Sequence, residues 1–267
     1  MKPVFFIDYD NTIFSHRSWS VPESAFEALS MLKHDGYKTV IASGRLIRST
    51  SYPPELCGRF EPDCLVSANG AVIEIEGKLV WEKYFDPGLQ ARIMDFALEH
   101  GYCIVSGFDG QWFTSTLERF RALATNNQRK YTPVGGEAFK SLYDKPLPSF
   151  FVADTEEVIA DFETHFPETR LLRMGEKLGG ADIIPRENGK TMGAERVLDY
   201  YGLGFDDAVA IGDSMNDIEL IQRASFGIAM GNAMQEVRDA ADFVAGDIDE
   251  DGLAQAIARA RFVKGCD

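Results

Sequence analysis

Val4-Phe5-Phe6-Ile7-Asp8-Tyr9-Asp10-Asn11-Thr12 is the stretch whose reading decides the fold. Four apolar residues predict a short buried strand, and it runs straight into two carboxylates one residue apart and a hydroxyl. Two like charges this close need a cation or a shared proton. At the carboxyl end of a buried strand they stand where open α/β sheets bind ligands. Hard Mg²⁺ prefers oxygen ligands, usually one or two carboxylates with waters and phosphate oxygens, so the stretch points to phosphoryl chemistry. An Asp-rich turn that merely caps the next segment has the same composition, and the stretch alone does not separate the two readings.

The rest of the chain does more to separate them. Val209-Ala210-Ile211 precedes Gly212-Asp213-Ser214-Met215-Asn216-Asp217, a second apolar strand that ends in a glycine turn with two more carboxylates. Thr39-Val40-Ile41-Ala42 delivers Ser43-Gly44-Arg45, a hydroxyl and a glycine amide suited to a phosphate oxygen. Glu187-Asn188-Gly189-Lys190 opens the amphipathic stretch Thr191 to Tyr201 and brings one ammonium to a helix N-terminus, a place that anions favour. Turn chemistry accounts for one such loop more easily than for all of them together.

These segments resemble, in order, the four motifs of the haloacid dehalogenase superfamily of phosphohydrolases. Ser67-Ala68-Asn69-Gly70-Ala71 and Ile228-Ala229-Met230-Gly231-Asn232-Ala233 resemble its Cof-type branch, which carries a large cap between the second and third motifs. The chain departs from the family pattern at Asn11 and at Thr191, where Gly is common; Asn tolerates left-handed turns, so the first loop is expected to form. The resemblance implies an α/β fold: a Rossmann-like, doubly wound parallel-sheet core from residues 1–83 and 186–267, with an α+β cap inserted at 84–185. It implies Asp8 as nucleophile, Asp10 as general acid and base, and phosphate held by Thr12, Ser43, Gly44, Lys190 and Asn216. Mg²⁺ would sit on the Asp8 carboxylate, the Asp10 backbone carbonyl and Asp213, with Asp217 orienting these groups. Arg45 and Asn69 are candidates for substrate contact, and Arg173 and Lys177 are candidate cap residues facing the site.

The composition agrees with such an enzyme. At 267 residues with 45% hydrophobic content, the chain can build two modest cores. A formal charge of −15 argues against nucleic acid or an anionic membrane as partner, because both need clustered Lys and Arg. A small phosphate ester must therefore be held by local positive charge. The four cysteines, Cys57, Cys64, Cys103 and Cys266, show no CxxC spacing and read as reduced thiols. With no apolar run of transmembrane length and no signal-peptide pattern after Met1, the expected location is the cytoplasm. The sequence does not read out an oligomeric state.

Along the chain, Pro22 to His34 carries Phe26, Leu29 and Leu32 at helical spacing, and with the flanking strands it makes a βαβ unit. Asn69 to Trp81 alternates around Gly77 as a hairpin. The insert predicts helices at Pro87–His100, Leu117–Asn127 and 155–166, the last capped by Thr155. It predicts strands at Cys103–Val105, Trp112–Phe113, 149–153 and Arg170–Met174, and Ala181 to Pro185 closes the insert. Trp112 and Phe113 are expected in the cap core, and His16, His34, His100 and His165, at no metal-ligand spacing, on the surface. The function expected is Mg²⁺-dependent hydrolysis of a small phosphorylated metabolite, either a sugar phosphate or a cofactor- or nucleotide-derived phosphate. A phosphotransferase or sugar-phosphate mutase shares the same intermediate. A phospho-accepting receiver module needs neither a cap of this size nor an acid two positions after the nucleophile.

Overall fold

In the computed structural model, which describes residues 2–123, 132–174 and 179–265, the opening apolar run is strand β1 (Val4–Ile7), with every residue buried. Helix α1 (Glu23–His34) buries Phe26, Leu29 and Leu32; an acid stands in its first turn, and Lys33 and His34 in its last, as the helix dipole favours. Strands β2 (Lys38–Ala42) and β3 (Cys64–Ser67) follow, then the hairpin of β4 (Val72–Ile75) and β5 (Lys78–Glu82), which turns through Glu76 and Gly77, both at positive φ. Strand β3 is not signalled by sequence patterning. It is four residues long and buried throughout, so it shows no alternation.

The chain divides into two compact units, residues 83–188 and the remainder. The inserted unit begins with α2 (Pro87–His100), where Asp86 accepts from the backbone N–H groups of Gly88 and Leu89, Pro87 takes the first turn, and Gly101 ends the helix at φ 66°. It continues with β6 (Ile104–Phe108), β7 (Gln111–Thr114), α3 (Leu117–Leu123), α4 (Glu137–Lys140), β8 (Phe150–Val152), α5 (Glu156–His165), β9 (Thr169–Arg173) and β10 (Ala181–Pro185). Its strands form an antiparallel sheet in the order β7-β6-β8-β10-β9. Two expectations change here. Thr155 occupies the N-cap position of α5, but its side chain makes no capping bond. Trp112 is 37% exposed and lies against Gly107 instead of filling the core, whereas Phe113 does pack there. The end of the expected Leu117–Asn127 helix lies outside the described residues.

The chain then returns to the first unit with α6 (Lys190–Tyr201), β11 (Ala208–Gly212), α7 (Ile218–Arg223), β12 (Phe226–Ala229), α8 (Gln235–Ala240), β13 (Phe243–Val244) and α9 (Gly252–Val263). The eight-stranded sheet runs β13-β12-β11-β1-β2-β3-β4-β5, parallel as far as β3 and antiparallel through the hairpin. The fold is α/β, with a parallel-sheet core and a separate antiparallel sheet. No helix among the described residues is long and apolar enough to cross a membrane.

Close packing in this core fixes some glycines. A Cβ on Gly227 of β12 would stand 2.2 Å from the Ile221 carbonyl oxygen of α7, an approach backbone atoms cannot make. Gly227→Ala is therefore expected to cost about 1–3 kcal/mol, read as a lower urea midpoint at unchanged slope. An unchanged midpoint would contradict this packing.

Candidate active site

Strand order reverses at β1: the chain runs outward through β2 and β3, then adds β11 on the other side of β1. A crevice opens outside the carboxyl ends of the strands at such a switch point. Ile7 pairs with Ile211 at the ends of β1 and β11, so Asp8 and Asp213 leave neighbouring strands side by side. The Asp8 N–H donates to the Ile211 carbonyl at 2.9 Å, holding the first loop in place.

Lys190 is the first residue of α6, the wrong charge for a helix N-terminus, and it is buried. Two carboxylates compensate: its Nζ donates to Asp8 Oδ1 at 2.5 Å and to Asp217 Oδ1 at 2.7 Å. Asp217 Oδ2 accepts the backbone N–H groups of Asp213 and Ser214 at 3.2 and 3.1 Å, so both its oxygens are engaged. A Cβ at Gly212 would fall 2.4 Å from Asp217 Cγ, which explains the glycine in this turn.

Asp8, Asp213 and Asp217, all buried, each offer an oxygen within 4.8 Å of the others'. One ammonium does not balance three carboxylates. Burial pushes the Asp8 carboxyl up to about 7, against the pull of Lys190 and with the help of Asp217 and Asp10. Burial, then Asp8 and Asp217, hold Asp213 well above the carboxylate range. Burial works against the charge on Lys190, but Asp217 and Asp8 raise it above its ordinary value. Asp8 Oδ2 and Thr12 Oγ1 are both buried with no hydrogen-bond partner in the protein. Excess negative charge, an unpartnered carboxylate oxygen and an unpartnered hydroxyl together fit a hard divalent cation and a phosphate oxygen.

Asp10 lies outside this cluster. Its Oδ2 accepts from Arg45 Nε at 2.9 Å, and its Oδ1 meets both Arg45 Nη2 and His16 Nε2. Burial raises its proton affinity, but His16 and Arg45 outweigh burial and hold it below the usual range. His16 is therefore not the surface residue the sequence suggested; its side chain is 26% exposed and turned onto Asp10. Its position six residues after Asp10 had no recognisable ligand spacing, so nothing in the sequence signalled the contact. Arg45, a candidate substrate residue, is placed on Asp10 and over the Tyr9 and Phe14 rings.

Asn11 takes φ 56°, the conformation expected for it, and the loop closes through its N–H to the Phe14 carbonyl at 2.7 Å. Asn232 supports that loop from the far side, donating to the Asn11 carbonyl at 2.8 Å, a role sequence reading did not assign. Ser43 is buried, with its Oγ accepting from the Arg45 N–H at 3.0 Å. Ala68, Asn69 and Gly70 all take positive φ, which turns the buried Asn69 side chain toward Gly44 and onto Asn216, whose Nδ2 donates to it at 2.9 Å. Gly70 has no room for a side chain, because a Cβ would sit 2.3 Å from the Gly189 carbonyl beside Lys190. In the inserted unit, Arg173 is paired with Glu156 and Glu163, and Lys177 lies outside the described residues. Cys57, Cys64 and Cys103 are free thiols.

With this geometry in view, the likenesses to other proteins fall into place. Residues 5–257 match the haloacid dehalogenase-like hydrolase family, and the chain belongs to that family. Over 265 residues it is 27% identical to YkrA of Bacillus subtilis, covering 98% of each chain. It is 23% identical to the 5-amino-6-(5-phospho-D-ribitylamino)uracil phosphatase YitU of the same organism, covering 93% of this chain and 94% of YitU. Among solved structures, BT1666 from Bacteroides thetaiotaomicron superposes with a TM-score of 0.87 at 24% identity, over 100% of this chain and 96% of that one. The subclass IIB sugar phosphatase BT4131 superposes at 0.82 and 23% identity, over the whole of both chains. The chain is a hydrolase of the phosphatase type.

The charge excess makes stability depend on pH. Because the folded pKa of Asp8 is raised from 3.8 to about 7, the metal-free protein binds an extra proton between those values and loses stability as pH rises through the upper one. In chelator at pH 8, Asp8→Asn is expected to melt at a higher temperature than the wild type, with the gap narrowing as pH falls below the raised value and closing by about pH 4. Calorimetric scans at the two pH values check this, and an equal gap at both would contradict it.

Proposed function

We propose that this chain is a Mg²⁺-dependent phosphomonoesterase that hydrolyses a small phosphorylated metabolite through an aspartyl-phosphate on Asp8. The observation that carries this reading is the buried, over-acidic cluster bridged by Lys190, beside an unpartnered Asp8 oxygen and an unpartnered Thr12 hydroxyl. The Asp8 and Asp213 side chains with the Asp10 carbonyl would hold the cation; Asp217, both oxygens already bonded, orients Lys190 and the loop. The cation supplies charge neutralisation for the carboxylates and for the transferring phosphoryl group.

An Asp8 oxygen attacks phosphorus, and the bond to the leaving oxygen breaks as Asp10 gives that oxygen a proton. Asp10 then takes a proton from water as the water attacks the acyl-phosphate, releasing inorganic phosphate and restoring Asp8. Thr12, Ser43, the Gly44 amide, Lys190 and Asn216 hold phosphate oxygens. Asp10 must carry a proton to act first as an acid, although His16 and Arg45 hold its proton affinity down. An arriving phosphate changes that balance: its negative charge raises the proton affinity of Asp10 and competes for Arg45. The inserted residues 84–185 supply no reacting group and serve substrate selection. The free thiols and the acidic surface suit a cytoplasmic enzyme acting on a small ester.

Phosphate release across a panel of metabolite esters tests this reading. Asp8→Asn is expected to fold but to release no phosphate, and Asp10→Asn to lose about 10²–10⁴ in rate. Near wild-type release by the Asp8 variant would end the covalent mechanism. A loss of twofold or less in the Asp10 variant with a poor leaving group would remove it as the acid.

Chelation is expected to abolish activity and Mg²⁺ to restore it. Ca²⁺, which takes more oxygen ligands at longer distances, is expected to bind and inhibit. Full activity in chelator, or with Ca²⁺ as the sole metal, would contradict the site.

A further inference from the structure

Trp19 stands in a backbone conformation that a bulky side chain seldom takes, at φ 53°, and yet its side chain is held out, 53% exposed. Burial therefore does not offset the strain. Such outliers persist where the surroundings over-determine them, and they gather at functional sites. The surroundings here do over-determine it. Ser15 pairs with Ser20 through the backbone at 2.9 Å, and Ser15 Oγ accepts the N–H groups of Arg17 and Ser18, each at 3.2 Å. Arg17 pairs with Asp247 and Asp249, and Ser18 Oγ donates to Asp249 at 3.0 Å. Trp19 is thus pinned on both sides with its indole projecting.

The projection has a direction. Rings run from Tyr9 to Phe14, stacked at 5.8 Å, then edge-on to His16 at 5.4 Å, and Trp19 closes on Phe14 at 5.9 Å and on His16 at 5.4 Å. His16 in turn contacts the Asp10 carboxylate. The indole therefore lies one imidazole away from Asp10, the group that in the proposed chemistry protonates the leaving oxygen.

We propose that Trp19 is a platform for the leaving group and selects phosphate esters whose alcohol presents a ring with an apolar face. Arg17, two residues before Trp19, is committed to Asp247 and Asp249, so the loop favours a ring with hydroxyls or neutral polar atoms over one with a further anionic group. A sugar ring and an aromatic ring share this chemistry. The proposal rests on the reading of Asp10 as the acid.

The test compares wild type, Trp19→Ala and Trp19→Phe on phenyl phosphate, glucose 6-phosphate, glycerol 3-phosphate and acetyl phosphate. Trp19→Ala is expected to lower kcat/KM for the ring esters about tenfold, mainly through KM, with the two others within about twofold. Trp19→Phe is expected to restore most of the loss. A fall confined to glucose 6-phosphate assigns a sugar ring, and one confined to phenyl phosphate an aromatic ring. An equal fall on all four esters makes Trp19 merely structural and overturns the proposal, as does no fall at all. If the wild type turns over none of them, calorimetry of phenyl phosphate and of glucose 6-phosphate on the Mg²⁺-loaded proteins decides the platform separately from turnover. About tenfold weaker binding of either ester by Trp19→Ala supports the platform; equal binding of both, or binding of neither to the wild type, overturns it.

Discussion

A single buried ammonium organises the catalytic unit. Placing Lys190 at the first position of a helix, out of water and against the helix dipole, is tolerable only because Asp8 and Asp217 converge on it from the ends of two different strands. The packing around it follows from that requirement. Gly212 clears space for Asp217, and Gly70 lets the turn after β3 press against the Gly189 carbonyl where α6 begins. Removing Lys190 would leave Asp8 and Asp217 buried with no cation between them.

The same arrangement separates two carboxylates that stand two residues apart. Asp8, directly after β1, is buried with Asp213 and Asp217 and is pushed up; Asp10, in the loop that follows, meets His16 and Arg45 and is held down. In the proposed chemistry these shifts describe a resting state. Each carboxylate has a partner or lacks one, and the arrival of a cation or a phosphate exchanges those partners. The loop from Phe14 to Ser20 belongs to this system as well, since it delivers His16 to Asp10 and is itself fastened by Asp247 and Asp249.

Much of this was legible in the chain because it is local. An apolar run that ends in charged residues marks a strand end whatever follows it, so Asp8, Ser43 and Asp213 could be placed at the mouth of a parallel sheet from their neighbours alone. Helix α2 was equally plain, with Asp86, Pro87 and Gly101 punctuating it. Asn11 accepted the left-handed turn that its amide side chain suits.

What only the tertiary structure decided is long-range pairing between residues with no common spacing. His16 reached Asp10 through a turn whose shape depends on Asp247 and Asp249, more than two hundred residues away in sequence. Asn69 found Asn216, Asn232 found Asn11, and Arg45 turned to Asp10 because of strand order and backbone curvature, neither of which is carried by local composition. The sequence by itself determined which chemical groups stand at the strand ends, because side-chain type and strand periodicity are properties of neighbouring residues. Which of those groups share a charge was settled by the fold, because electrostatic balance depends on distance and burial in three dimensions.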